Sequence, residues 1–170
     1  MEDADQLRVR TWQQYGATAR GLQVEFGIPQ SEFFAGSIEH VPVEEYLQPR
    51  PELAAMLRDL PQRLYVFTNA PEGYARRALN ALEIADEMEA IFDIGVTGGR
   101  PKPECACYEC VVETVGVTPE RIALMEDTEA NLVPAADLGM ITIKLGPPPP
   151  DEAHHYLEDI EDLPELLGLR

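Results

Sequence analysis

A short apolar run, Ile122 to Met125, passes without a break into two acids, Glu126 and Asp127. The run reads as a buried strand, and no folded interior accepts two adjacent carboxylates unpaired, so the acids belong at the strand's carboxyl end. Pro134 fits only the first turn of a helix, which puts the next helix start near Asn131 and leaves Thr128 to Ala130 as loop. Asp127 then stands on the rim of a crevice. In an open parallel sheet that rim is where ligands bind, and paired carboxylates there suit a hard cation such as magnesium. The same two residues also suit a plain turn and helix cap.

Upstream, residues 6 to 26 read as one helical segment carrying the stripe Tyr15, Ala19, Leu22 and Phe26, stopped at Gly27. A second helix is expected to start with Ser31 as N-cap and to pack Phe33 and Phe34 inward. No strand is expected before Gln48, so residues 1–48 form a small helical unit and 49–170 the remainder. Pro49 and Pro51 mark the change. From there a helix through Leu53, Met56, Leu57 and Leu60 leads into a strand, Leu64 to Phe67, that ends in Thr68-Asn69. A helix over 71–82, a strand over 91–94 and a helix from about Pro103 to Val115 follow. Thr142 to Leu145 is a further strand, Pro147 to Pro150 a stiff link, and Tyr156 to Leu167 a short strand with a final helix. Strands alternating with helices predict a parallel sheet covered on both faces.

Composition narrows the function. A chain of 170 residues, 45% of them hydrophobic, is long enough for a sizeable core. Its 31 acids against 13 bases give a net charge of −18, which repels nucleic-acid phosphates and anionic membranes. No apolar run reaches the roughly 20 residues of a membrane span, and the acidic start is unlike a signal peptide, so a cytoplasmic location is expected. Cys105, Cys107 and Cys110 lie within one segment, as suits reduced thiols, and no fourth metal ligand follows them.

All strand ends of such a sheet open on one edge, where Thr68-Asn69, the loop around Lys102 and Glu126-Asp127 are expected to meet. A hydroxyl and an amide bind phosphate oxygens, an ammonium neutralises them, and carboxylates hold a bridging magnesium. Only Lys102 and Lys144 are lysines, so a lysine in this loop stands out. Each feature has a plainer reading too: a turn, a solvated lysine, a cap.

The strand ending Phe67-Thr-Asn69, then Arg100-Pro-Lys-Pro-x-x-x-x-Tyr108, then the strand followed by Glu126-Asp-Thr-x-x-Asn-Leu-x-x-Ala-x-x-Leu-Gly-Met140 resemble the second, third and fourth motifs of the haloacid dehalogenase (HAD) superfamily. Residues 15 to 22 resemble the helical cap of its pyrimidine 5′-nucleotidase branch. The resemblance implies an α/β, HAD-like (Rossmannoid) parallel sheet with flanking helices and a small helical cap. It implies phosphate binding by Thr68, Asn69 and Lys102, with Lys102 also catalytic, and magnesium held by Asp127 with Glu126 beside it. Tyr15, Thr18 and Arg20 become candidate cap contacts to substrate. The implied partner is a small phosphorylated metabolite or nucleotide, and the implied activity is phosphomonoester hydrolysis through an aspartyl-phosphate.

The family's first motif, a central strand ending in Asp-x-Asp-x-Thr, has no counterpart here. Asp3-Ala-Asp5 has the letters but only two residues before it, and Asp93 falls within an expected strand. Catalysis is therefore not expected of the chain as written. Without that strand, 64–68 and 122–126 are expected to pair directly, at about 4.8 Å, or to receive a strand from another chain, as in a homodimer or strand exchange. A non-catalytic phosphate-binding or assembly module and a dehalogenase are the competing functions.

Overall fold

A computed structural model describes residues 3–148 and 154–169. These fall into two compact units, 1–102 and 103–170.

The first unit begins with helices. Asp3 caps α1 (Ala4–Tyr15) through a reciprocal capping box with Gln6. The single helix expected over 6–26 is two, because Gly16 turns left-handed (φ 75°) and closes α1 before α2 (Thr18–Phe26) begins. Gly21 serves the crossing of these helices: a Cβ there would lie 2.4 Å from the Thr11 Cβ. The next helix, α3 (Gln30–Ala35), starts one residue before Ser31, after the extended Pro29, so Ser31 lies in the first turn and is not the cap. Phe34 and Ala19 pack with Ile94, flanked by Phe33 and Ile38. After α4 (Val43–Tyr46), α5 (Pro51–Asp59) carries its proline in the first turn and buries Leu53, Ala54 and Leu57. Strand β1 (Tyr65–Phe67) pairs in parallel with β2 (Ala90–Phe92), with α6 (Glu72–Ala81) between them in sequence.

The second unit holds α7 (Cys105–Val115), β3 (Ala123–Glu126), α8 (Glu129–Asp137), β4 (Ile141–Leu145), β5 (His155–Leu157) and α9 (Leu163–Leu166). The strands form one parallel ladder in the order β3-β4-β5. Cys107, Tyr108 and Val111 of α7 and Leu132 and Ala135 of α8 are buried, as are Ile143 and Leu157 on the sheet.

Several expectations are corrected. Helix α8 starts at Glu129, not near Asn131, and Pro134 lies inside it; the carbonyl that loses its i+4 donor belongs to Ala130, an exposed residue. The run Ile122 to Met125 is half-buried, with Ala123 exposed, because β3 pairs with one strand only among the described residues. The direct pairing of 64–68 with 122–126 is not formed: β1 pairs with β2, and β3 with β4. Asp93 lies just past β2 and not within a strand. Of the proline link, Pro149 and Pro150 fall outside the described residues. No helix among the described residues is long and apolar enough to cross a membrane.

Candidate active site

In the first unit, strand β1 delivers its carboxyl end to a compact polar junction. The Thr68 N–H donates to Phe92 O at 2.9 Å, extending the β1–β2 ladder by one bond. The Thr68 hydroxyl oxygen accepts the Ala70 N–H at 3.0 Å, an arrangement that leaves the hydroxyl proton available to an incoming oxygen. Asn69 reaches across to the lysine loop. Its Oδ1 accepts the Lys102 N–H at 2.7 Å and its Nδ2 donates to Lys102 O at 3.0 Å.

Lys102 is 7% exposed. Its Nζ donates to Phe67 O at 2.9 Å and lies 4.9 Å from the centroid of the Phe67 ring. A carbonyl dipole and an aromatic face both favour a cation and help hold an ammonium in so sheltered a place. The loop before it is also tied down. Thr97, itself buried, donates its hydroxyl to Arg100 O at 2.8 Å, and Gln30 Nε2 donates to Gly99 O at 2.8 Å. Asn69 and Lys102 are thus joined directly, and Thr68 lies in the chain between Phe67 and Asn69, both of which bond Lys102. Phe67, which steadies the ammonium from two directions, was not singled out from sequence; the only sign of it is its place one residue before Thr68.

Asp93 follows β2, but both its oxygens accept backbone N–H groups, Oδ1 from Val96 and Oδ2 from Glu72, each at 2.8 Å. It caps α6 and the following turn, with one backbone N–H on each of its oxygens.

Glu126 and Asp127 belong to the second unit. Glu126 is the last residue of β3 and 9% exposed, and its Oε1 accepts the Thr128 N–H at 3.1 Å. The Thr128 hydroxyl donates to Asp127 Oδ1 at 3.3 Å. Tyr108, fully buried, donates to Asn131 O at 2.6 Å and so ties α7 to α8 behind this turn. Burial pushes the Tyr108 phenol well above its ordinary range, and the Cys107 thiol and Glu126 carboxylate reinforce the shift. Glu126 and Asp127 are two neighbouring carboxylates, and no group of three His, Cys, Asp or Glu side chains able to hold a metal ion occurs among the described residues.

The cap candidates lie on α1 and α2. The Tyr15 hydroxyl accepts from Gln14 Nε2 at 3.1 Å, the Thr18 hydroxyl donates to Arg8 O at 3.3 Å, and Arg20 Nη1 donates to Gln23 Oε1 at 3.2 Å.

Comparison with known proteins accords with this layout. Phosphate metabolism protein 8 of Saccharomyces cerevisiae is 27% identical over 161 residues, a match that takes in 82% of this chain; the chain spans about half (48%) of that relative's length. Among solved structures, a HAD phosphatase from Thermococcus onnurineus superposes with a TM-score of 0.62 at 20% identity, over 95% of this chain and 90% of that one. L-2-haloacid dehalogenase from Xanthobacter autotrophicus superposes with a TM-score of 0.65 at 16% identity, over 98% and 82%. Residues 8–139 match the haloacid dehalogenase-like hydrolase family, and with that match spanning most of its length the chain belongs to that family.

Proposed function

We propose that this chain is the phosphate-binding part of a phosphomonoesterase, with nucleoside 5′-monophosphates of the pyrimidine class as the first substrates to try. The observation that carries the reading is the sheltered Lys102 ammonium bonded to Phe67 O, with its backbone tied to Asn69, the residues on either side of Thr68 at the end of β1. A fixed cation and a hydroxyl with a proton to give are the groups a transferring phosphoryl oxygen needs. The yeast relative's name supports phosphate over a halogenated acid.

In the reaction, a carboxylate oxygen attacks phosphorus, the ester P–O bond breaks and the alcohol leaves with a proton. Water then cleaves the acyl phosphate, returning the carboxylate and releasing inorganic phosphate. Lys102 and Thr68 steady the charge on the phosphoryl oxygens in both steps. Asp93 serves as a cap, and the attacking carboxylate is placed on a strand added at the edge of β1 away from β2. Residues 1–170 alone are expected to bind phosphate without turning it over. Hydrolases of this family generally use Mg2+; Asp127, with Glu126 beside it, would supply carboxylate oxygens to it.

The test joins an apolar strand ending in Asp-x-Asp-x-Thr upstream of residue 1 and measures phosphate release from nucleoside monophosphates. Turnover that falls at least about 100-fold in Lys102→Met supports the reading. Absence of turnover in the extended protein, together with absence of phosphate binding by residues 1–170, overturns it. Binding without turnover in the extended protein would favour the second reading, a non-catalytic phosphate-binding module, which the engagement of Asp93 already favours for residues 1–170.

A further inference from the structure

We propose that Lys144 marks an anion subsite in the second unit, at the carboxyl end of β4, that takes one small oxyanion of the phosphate or carboxylate kind. The lysine is 7% exposed. An ammonium carries three N–H donors, and a buried charge is costly unless it is both hydrogen-bonded and neutralised. Its acceptor among the described residues is Leu145 O at 2.7 Å, the carbonyl of the next residue in the chain. No carboxylate oxygen of the described residues lies within 4.0 Å of it. Among the described residues, two donors and the positive charge are left without a partner.

The surroundings are those of a polar row, not of an apolar core. Parallel register sets Glu126 on β3 and Tyr156 on β5 beside Lys144, so the three share one face of the sheet. Thr142, two residues back on that face and buried, shares a 2.7 Å hydrogen bond with His154 Nδ1. Glu126 is the nearest acid in register, yet its Oε1 is bonded to the Thr128 N–H and no ion pair closes between the two side chains. Among the described residues, a Cβ built on Gly146 would meet a single neighbour, Lys144 Nζ, at 3.9 Å, and Gly146 has φ 94°, where a larger residue is strained. A small anion with several lone pairs satisfies both spare donors and the charge at once, whereas water supplies no charge. Neither Thr68 nor Lys102 enters this argument, so it does not rest on the phosphohydrolase reading.

The chain has two lysines, so [15N]lysine labelling of the whole protein gives two side-chain ammonium signals, and Lys102→Met assigns them by elimination. Inorganic phosphate is titrated in at constant ionic strength, with sodium acetate as a second arm. The expected result is a saturating shift of the Lys144 signal with phosphate, retained in Lys102→Met. An equal response to acetate makes the site a general oxyanion site, and a response to phosphate alone makes it a dianion site; either supports the proposal. Asp151 and Glu152 lie outside the described residues and are the rival source of counter-charge. A Lys144 signal that moves in Asp151→Asn/Glu152→Gln but ignores both anions overturns the proposal. So does a signal that never responds, or one that drifts without saturating, which means an adventitious ion only. The Lys102 signal reports separately on the phosphate site of the first unit.

Discussion

Asn69 and Lys102 grip each other by their amides: the side-chain oxygen of one takes the backbone N–H of the other, and the side-chain nitrogen returns a bond to the same residue's carbonyl. The carboxamide thereby imitates one rung of a parallel ladder across 33 positions of sequence. With both polar atoms of Asn69 used this way, its part in the proposed phosphate site is to fix the backbone that carries the Lys102 ammonium. Asn69→Ala removes the pair and leaves a sheltered N–H and C=O unsatisfied, at a cost of about 1–3 kcal/mol. Urea denaturation reads the loss, and phosphate affinity is expected to fall with it. Unchanged stability in Asn69→Ala would count against the clamp.

Tyr108 makes a buried bond to Asn131 O, so Tyr108→Phe is expected to lower stability by about 1–3 kcal/mol at neutral pH. The same phenol governs alkaline stability. Burial raises its pKa from the ordinary 10.0, so the unfolded chain ionises first and stability falls as pH rises from 10.0 upward. In Tyr108→Phe that alkaline decline becomes shallower, which melting curves at successive pH values resolve.

Gly21 and Gly73 offer a contrast within one molecule. Ala at position 21 sets its Cβ 2.4 Å from the Thr11 Cβ and 2.9 Å from the Tyr15 ring, and the two helices have to part. Gly21→Ala is expected to cost about 1–3 kcal/mol. A Cβ at Gly73, inside α6, meets nothing within 4 Å, and Gly73→Ala is expected to gain about 0.5–1 kcal/mol from helix propensity. Midpoints of thermal unfolding that move the same way in both variants contradict this.

On the acid side, the Arg77 guanidinium holds the Glu44 carboxyl at about 2, below its ordinary 4.5, joining α4 to α6. A lowered carboxylate pKa means stability that is present above pH 4.5 and lost as pH falls towards about 2. Glu44→Gln is expected to flatten that limb of the melting profile. Glu44 is exposed and Arg77 half-buried, so the difference is small and shrinks at high salt.

Local sequence determined the order of strands and helices, the stops at Gly27 and Gly116, the acids at the end of β3 and the loop that carries Lys102. Each of these follows from side-chain period, proline and glycine geometry, or the cost of burying charge, all of which act over a few residues. The break at Gly16 was missed because the apolar stripe runs on past it, while a left-handed turn depends on how α1 and α2 then pack. Tertiary structure alone decided that Asn69 clasps Lys102 and that Asp93 is a cap. It also decided that β3 is half-exposed and that Lys144 is buried beside Glu126 without bonding it. Those outcomes depend on which distant backbone groups arrive within hydrogen-bond reach, and on which strand edges find a partner, and neither is written in the spacing of residues along the chain.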